Sequence, residues 1–317
     1  MTSSLQKEAI VPSQYHGQRV DVVLAQLFPD FSRSQLTGWL KDGAITLNKL
    51  QYKPKDKILG GEHVIINVVL PENDSNNEAE DIPLDVVFED EYLLIVNKPA
   101  GLVVHPGAGN PNHTLVNALL HHAPTLHHLP SAVIVQRLDT DTTVILIVAK
   151  TLTTHTSLIR QMQAREIQRH YLALVYGHVI SGGVLDTHYG RHPRNRLKMA
   201  VCTNGRQAIT QYALSKQYRY FTLLDVTLMT GRTHQIRVHM AHLNHPVVGD
   251  PLYGGRARVP AGINSDLRQA IHAFTRQALH ACKLSFVHPD SKERLTFNAP
   301  LPDDFQLLLT TLEMNVA

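Results

Sequence analysis

The sequence predicts an α+β protein built on a mixed, mostly antiparallel sheet, with a small separate domain in front of it. Strand-like apolar runs outnumber helical ones and follow one another along the chain, which favours such a sheet over alternating α/β units. Residues 71–81 carry five carboxylates and no apolar periodicity, so they read as a flexible, self-repelling linker between two units. The 317 residues are enough for two domains, and 43% hydrophobic with 18% charged content marks a globular rather than a disordered chain.

Residues 15–70 are expected to form the first unit. Val20, Val23, Leu24 and Leu27 recur at helical spacing, and Ser32 is placed to cap a second helix carrying Leu36, Trp39 and Leu40, which Gly43 ends. Residues 44–48 alternate like a strand, and 64–69 form another. Arg33, Lys41, Lys53, Lys55 and Lys57 suit phosphate contacts to folded RNA, although acidic residues roughly balance them and a solvated face reads equally well.

Residues 82–312 are expected to form the larger unit. Residues 84–88 and 92–96 read as strands, Asn97 to Gly101 as a turn, and Thr114 as the cap of a helix over 114–120. Val144 to Ala149 is an apolar run bounded by polar residues, a buried strand that Asp139 approaches by a loop. A helix over 156–163, a strand over 171–177 and a strand over 221–228 follow, then a helix over 234–242 capped by Thr233. Between them, residues 188–206 form an expected loop excursion holding Arg191, Arg194, Arg196, Lys198 and Arg206 without a carboxylate, the strongest phosphate-binding stretch of the chain.

Composition narrows the chemistry. A net charge of only +3 means that a polyanion must be met by local patches. Cys202 and Cys282 make no disulfide framework and fit a reducing compartment. The first residues lack the apolar core of a signal peptide, and no apolar run approaches the length of a membrane span, so a soluble cytoplasmic protein without a membrane partner is expected. Twenty histidines invite a metal site, but no Cys pair or acidic partner stands at zinc spacing, so no metal and no cofactor is expected. Phosphate-loop, nucleophile-elbow and Cys–His signatures are missing as well.

Two sets of motifs carry a resemblance. Arg19-Val20-Asp21, Ser32-Arg33-Ser34 and Leu40 to Asn48, with Gly61-Glu62, resemble the small αL RNA-binding domain of a ribosomal protein and several RNA-modifying enzymes. Asn97 to Gly107, Arg137-Leu138-Asp139, Tyr171 to Val175, Gly231 to His239 and Gly249 to Gly254 occur in the order of the RluA/RluD-type pseudouridine synthases. The chain is most similar to those members that carry an αL domain and act on large-subunit ribosomal RNA. The match runs from about residue 15 to 310.

The resemblance implies the pseudouridine synthase fold and isomerisation of uridine in a stem-loop of 23S ribosomal RNA, within large-subunit particles, by a monomer. It implies Asp139 as the catalytic carboxylate, Arg237 as its ion-pair partner and Tyr171 as the ring that stacks on the base and takes a proton from it. Arg137 would fill the gap left by the flipped nucleotide, Ile236 and Arg232 would contact substrate beside Arg191, Arg194, Arg196 and Lys198, and the N-terminal unit would bind RNA through Arg19, Ser32, Arg33, Ser34 and Lys41. Four positions depart from the family pattern. Gln136 stands where His is usual, and Lys49, His113 and Val144 stand where Gly is usual. Lys49 is expected to disfavour a tight hairpin and Val144 to shift the catalytic loop. The alternative is a catalytically impaired ribosome assembly factor that binds RNA without turnover.

Overall fold

The computed structural model describes residues 4–28, 31, 33–69, 78–107, 109–129, 134–136, 138–254 and 262–315. The N-terminal unit is a three-stranded antiparallel sheet of β1 (Ser4–Ile10), β2 (Ile45–Leu47) and β3 (His63–Val69) in the order β1-β3-β2. Helices α1 (Val20–Leu27) and α2 (Arg33–Lys41) close its core, where Val20, Val23, Leu24, Leu36 and Leu40 meet Ile45 and Ile66. The expected start near residue 15 omits β1, which pairs along its whole length with β3. Its side chains alternate between exposed and half-buried, so no apolar stripe betrays it. Ser32 lies outside the described residues.

Lys49 does not abolish the hairpin. Asn48 and Lys49 take φ of 50° and 67°, and Leu47 and Leu50 exchange both backbone hydrogen bonds at 2.9 Å. Two central residues at positive φ give a turn whose twist matches the strands. Asn48 holds it in place by accepting the His63 N–H at its Oδ1 (2.8 Å) and donating its own N–H to the His63 carbonyl (2.8 Å).

The larger unit is a ten-stranded sheet. Its strands are β4 (Val86–Glu89), β5 (Leu93–Lys98), β6 (Thr143–Ala149), β7 (Gln168–Tyr176), β8 (Gly183–Arg191), β9 (Met199–Val201), β10 (Arg206–Gln217), β11 (Phe221–Leu228), β12 (Leu279–Val287) and β13 (Arg294–Asn298). They run in the order β4-β5-β6-β12-β7-β11-β10-β8-β9, with β13 on β12. The β6–β12 pairing is parallel and the other described pairings are antiparallel.

Among the described residues five helices flank this sheet: α3 (Leu115–His122), α4 (Leu152–Ala164), α5 (Gln235–His242), α6 (Ser265–Ala273) and α7 (Asp303–Met314). Val144, Leu146 and Val148 face a core shared with α3, α6 and α7, while Ile145, Ile147 and Ala149 face one shared with α4. Burial on both faces is why β6 reads as an unbroken apolar run rather than an alternating one.

Four local expectations need correction. Residues 188–206 are not a loop: they contain the end of β8, all of β9 and the start of β10, so the cations ride on a β-hairpin. β8 alternates half-buried and exposed residues, β9 is half-buried and β10 is mostly exposed, so no strongly apolar run marks them. Helix α4 begins at Leu152, because Thr151 accepts the Thr154 N–H and caps it. Thr233 does not cap α5; His234 takes the cap position in a left-handed conformation with φ 58°. Residues 78–81 do not float, since buried Asn117 donates to the Glu78 carbonyl (2.7 Å) and accepts the Glu80 N–H (3.1 Å). The rest of the expected linker, 71–77, lies outside the described residues.

Replacing Lys49 with Gly should stabilise the N-terminal unit by about 1 kcal/mol, because a side chain in left-handed backbone costs roughly that much. Urea unfolding of the two proteins measures it, and an unchanged midpoint would show that Lys49 recovers the cost elsewhere.

Candidate active site

Asp139 lies on the loop that enters β6 and keeps 17% of its side chain exposed. A buried lysine shapes that loop. Lys98 ends β5 opposite Val144, and its Nζ donates to the carbonyls of Pro99 (2.8 Å), Leu102 (3.0 Å) and Thr140 (2.8 Å). Burial pulls Lys98 down to about 8 against the pull of Asp141 and Asp139, and three carbonyls each take one proton of the ammonium. The Gly101 N–H adds a further bond to the Thr140 carbonyl (3.0 Å), so the residue after Asp139 is held from two sides.

Arg237 on α5 joins Asp139 to a second carboxylate. Its Nη1 donates to Asp139 Oδ2 at 2.9 Å, while Nε and Nη2 donate to Asp250 at 2.7 and 2.8 Å. Asp250 Oδ1 also accepts the backbone N–H groups of Leu252 (2.8 Å) and Tyr253 (2.9 Å). Burial pushes Asp250 up, but the Arg237 guanidinium and these N–H groups hold it below the usual carboxylate range. Arg237 stays cationic despite its burial because both carboxylates raise it.

Tyr171 stands in β7 between Val226 and Ala281 of the neighbouring strands, and is only 8% exposed. Burial raises its phenol pKa; Arg169 opposes this and Asp139 adds to it. With Val144, Leu228, Ile236 and Leu279, Tyr171 gives an apolar lining to a cleft of ≈ 380 Å³ that also holds Asp139 and Arg232. Apolar walls with a few placed polar groups are what small-molecule sites have.

The other described sequence-derived residues fall in two places. Arg191, Arg194, Arg196 and Lys198 lie on the β8–β9 hairpin, where Arg191 Nη1 donates to the Arg196 carbonyl (2.6 Å) and Lys198 sits over the Tyr253 ring. The hairpin is tied to the site, because the Met199 N–H donates to the Tyr253 hydroxyl (2.9 Å) and that ring packs under Arg237. In the N-terminal unit, Arg19 and Arg33 converge on buried Asp21 at 2.9 and 2.7 Å, whereas exposed Ser34 and Lys41 lie along α2. Arg137 lies outside the described residues.

Sequence reasoning missed Lys98, His234, Asp250 and Tyr253 as site residues. All four sit inside the quoted motif stretches, but nothing in their spacing reveals that they converge on Asp139. Val144 is buried in β6 with ordinary strand backbone, so it shifts the catalytic loop by no conformational demand of its own. His113 takes the left-handed φ of 57° that a glycine would, braced by Glu80 accepting its N–H at 2.8 Å. Buried Gln136 leaves its Nε2 without a hydrogen-bond partner among the described residues.

Comparison with known proteins gives concordant matches. Residues 92–242 match the family described as RNA pseudouridylate synthase, and residues 18–64 match the S4 domain. A protein of Xanthomonas campestris named "Ribosomal large subunit pseudouridine synthase D" is 50% identical over 100% of this chain and 95% of its own length. The protein of that name from Escherichia coli K12 is 47% identical over 98% and 96%. Among solved structures, human RNA Pseudouridylate Synthase Domain Containing 4 superposes with a TM-score of 0.57 at 24% identity, over 72% of this chain and 92% of its own, which supports the fold.

Asp250→Asn should cost about 3–5 kcal/mol at neutral pH, since removing one partner leaves Arg237 buried and under-compensated. The native pKa of Asp250 is depressed below its unfolded value of about 3.9, so its contribution is complete above that pH and is lost as pH falls through the native value. Urea unfolding at pH 7 and pH 3 should show the two proteins converging in acid. A constant gap would sink the linkage.

Proposed function

The chain belongs to the RNA pseudouridylate synthase family, and from that membership we propose that it isomerises uridine in a stem-loop of 23S ribosomal RNA through Asp139. The observation that carries the reading is Asp139 held by the buried Arg237–Asp250 pair in a cleft that Tyr171 also lines.

The reaction breaks the bond from C1′ to uracil N1, turns the base and joins C1′ to C5, while C5 loses a proton and N1 gains one. No electrons are gained or lost. Asp139 starts the cleavage, with Arg237 fixing its orientation and countering its charge. Burial keeps Tyr171 a neutral phenol, so its ring offers a stacking face and its hydroxyl a relay for the proton leaving C5. Ile236 closes the base from another side. A base reaches this cleft only by leaving its stack, which costs a few kcal/mol and less in a loop. Arg137 would fill the space left behind.

The β8–β9 hairpin supplies the backbone contacts. Arg194 and Arg196 make no side-chain hydrogen bond or ion pair among the described residues, and so remain available to phosphates. Ser34 and Lys41 offer a second surface on the N-terminal unit, with Arg19 and Arg33 positioned beside it by Asp21. We place the protein in the cytoplasm as a monomer acting on large-subunit particles.

Tritium release from RNA labelled at uracil C5 tests the reading directly. Wild-type protein should release tritium from large-subunit particles and Asp139→Asn should release none; tight binding without release by wild type would favour an assembly factor instead. Replacing Arg194 and Arg196 together with Ala should flatten the slope of log K against log salt by about 1.5, the loss of two phosphate contacts. An unchanged slope would remove the hairpin from the interface.

A further inference from the structure

His234 begins α5 in the left-handed region at φ 58°, a conformation that costs a residue with a β-carbon of order 1–3 kcal/mol and persists only where its surroundings fix it. Its side chain does not cap the helix. The ring instead faces the cleft with 21% of its side chain exposed, and Tyr253 meets it edge-on.

The hydrogen bonds around Tyr253 accommodate an imidazole that carries its proton on Nε2. The Tyr253 hydroxyl already accepts the Met199 N–H at 2.9 Å, and its other described partner is His234 Nδ1 at 2.8 Å. A phenol has one proton to give. Donated to Nδ1, it leaves the imidazole's own proton on Nε2. Burial lowers the pKa of His234 while Asp139 opposes, and the ring is neutral near pH 7.

Nε2–H then faces Asp139 Oδ1 across 3.8 Å, too far for a hydrogen bond between them. A donor and a carboxylate acceptor thus stand opposite each other with neither satisfied by the other. An oxygen placed between them must accept from the imidazole and donate to the carboxylate. A carbonyl only accepts, so neither uracil oxygen qualifies; a hydroxyl does both. Within an RNA strand the 3′ and 5′ oxygens of the ribose are esterified, which leaves the 2′-hydroxyl.

We propose that His234 is a substrate-binding residue whose Nε2–H donates to the 2′-hydroxyl of the target uridine, which donates in turn to Asp139 Oδ1. This rests on the function proposed above and adds to it a site of sugar recognition. Tyr253 fixes the tautomer, His234 and Asp139 read the hydroxyl, and the same contact holds the carboxylate on the α face of the sugar, opposite the bond that breaks. A target without the 2′-hydroxyl loses both hydrogen bonds, which is how the site distinguishes RNA from DNA at this nucleotide.

A double-mutant cycle between enzyme and substrate tests it. Single-turnover tritium release is measured for wild type, His234→Leu and His234→Gln on RNA with either uridine or a single 2′-deoxyuridine at the target. On the ribose substrate His234→Leu should be slower by about tenfold, the loss expected for one hydrogen bond. His234→Gln keeps an amide donor and should recover most of that loss. On the deoxy substrate His234→Leu should lie within about twofold of wild type, because the contact is already gone. Losses that multiply would overturn the proposal and point to a bridging water, and an undiminished rate for His234→Leu on the ribose substrate would overturn it outright.

If the deoxy RNA does not turn over, the same cycle is read in dissociation constants. Matching thermal midpoints for the variants keep a folding defect from imitating the result. Absence of release by wild type on ribose RNA would defeat the proposed function itself, while the binding cycle would still report on the 2′-hydroxyl contact.

Discussion

A guanidinium buried between two carboxylates is the constraint on which the site depends. Taking Arg237 out of water is tolerable only because Asp250 meets it bidentately and Asp139 takes its remaining Nη1. That requirement fixes the loop after α5. Gly249, at φ 71°, presents Asp250, and a β-carbon there would lie 2.1 Å from the Arg276 carbonyl oxygen. Only glycine fits this turn, so the backbone at Gly249 and the charge at Arg237 belong to one arrangement.

Helix α5 is held in register by a second buried system. Gln235 Nε2 donates to Thr210 Oγ1 (2.9 Å), and its Oε1 accepts from Thr230 Oγ1 (2.9 Å) and the Arg232 N–H (3.0 Å). His239, one turn on, sits 2.8 Å from Thr210 Oγ1 by Nδ1 and 3.0 Å from Thr187 Oγ1 by Nε2. Burial pushes His239 down to about 4, so it serves here as a neutral ring. These bonds pin α5 to β8 and β10 and orient both Arg232 and Arg237. They also couple the cation-bearing hairpin to the carboxylate, since β8 continues directly into it.

The departures from the family pattern sort by what the backbone requires. Lys49 and His113 accept left-handed conformations because neighbouring hydrogen bonds, from Asn48 with His63 and from His113 to Glu80, hold them there. Val144 needs no such conformation, and its side chain fills the cleft wall beside Tyr171. Gln136 differs in kind. Its buried Nε2 without a described partner, three positions before Asp139 in the chain, is a polar cost rather than a backbone one.

The fold class, the mixed sheet and the motifs around Asp139, Tyr171 and Arg237 were legible from order along the chain, because apolar runs and local turn chemistry act over a few residues. The same reading misplaced the cation-bearing stretch as a loop, since β8 alternates half-buried and exposed residues, β9 is half-buried, β10 is mostly exposed, and none carries a strongly apolar run. It could not find Lys98, His234, Asp250 or Tyr253 as partners of one carboxylate. Asp139 and Arg237 lie 98 positions apart, and their meeting is set by sheet register and helix docking rather than by spacing. The sequence determined which chemical groups the protein carries and which segments are strands and turns. The tertiary structure alone decided which of them share a buried charge, because desolvation acts on groups that are near in space, however far apart they are in the chain.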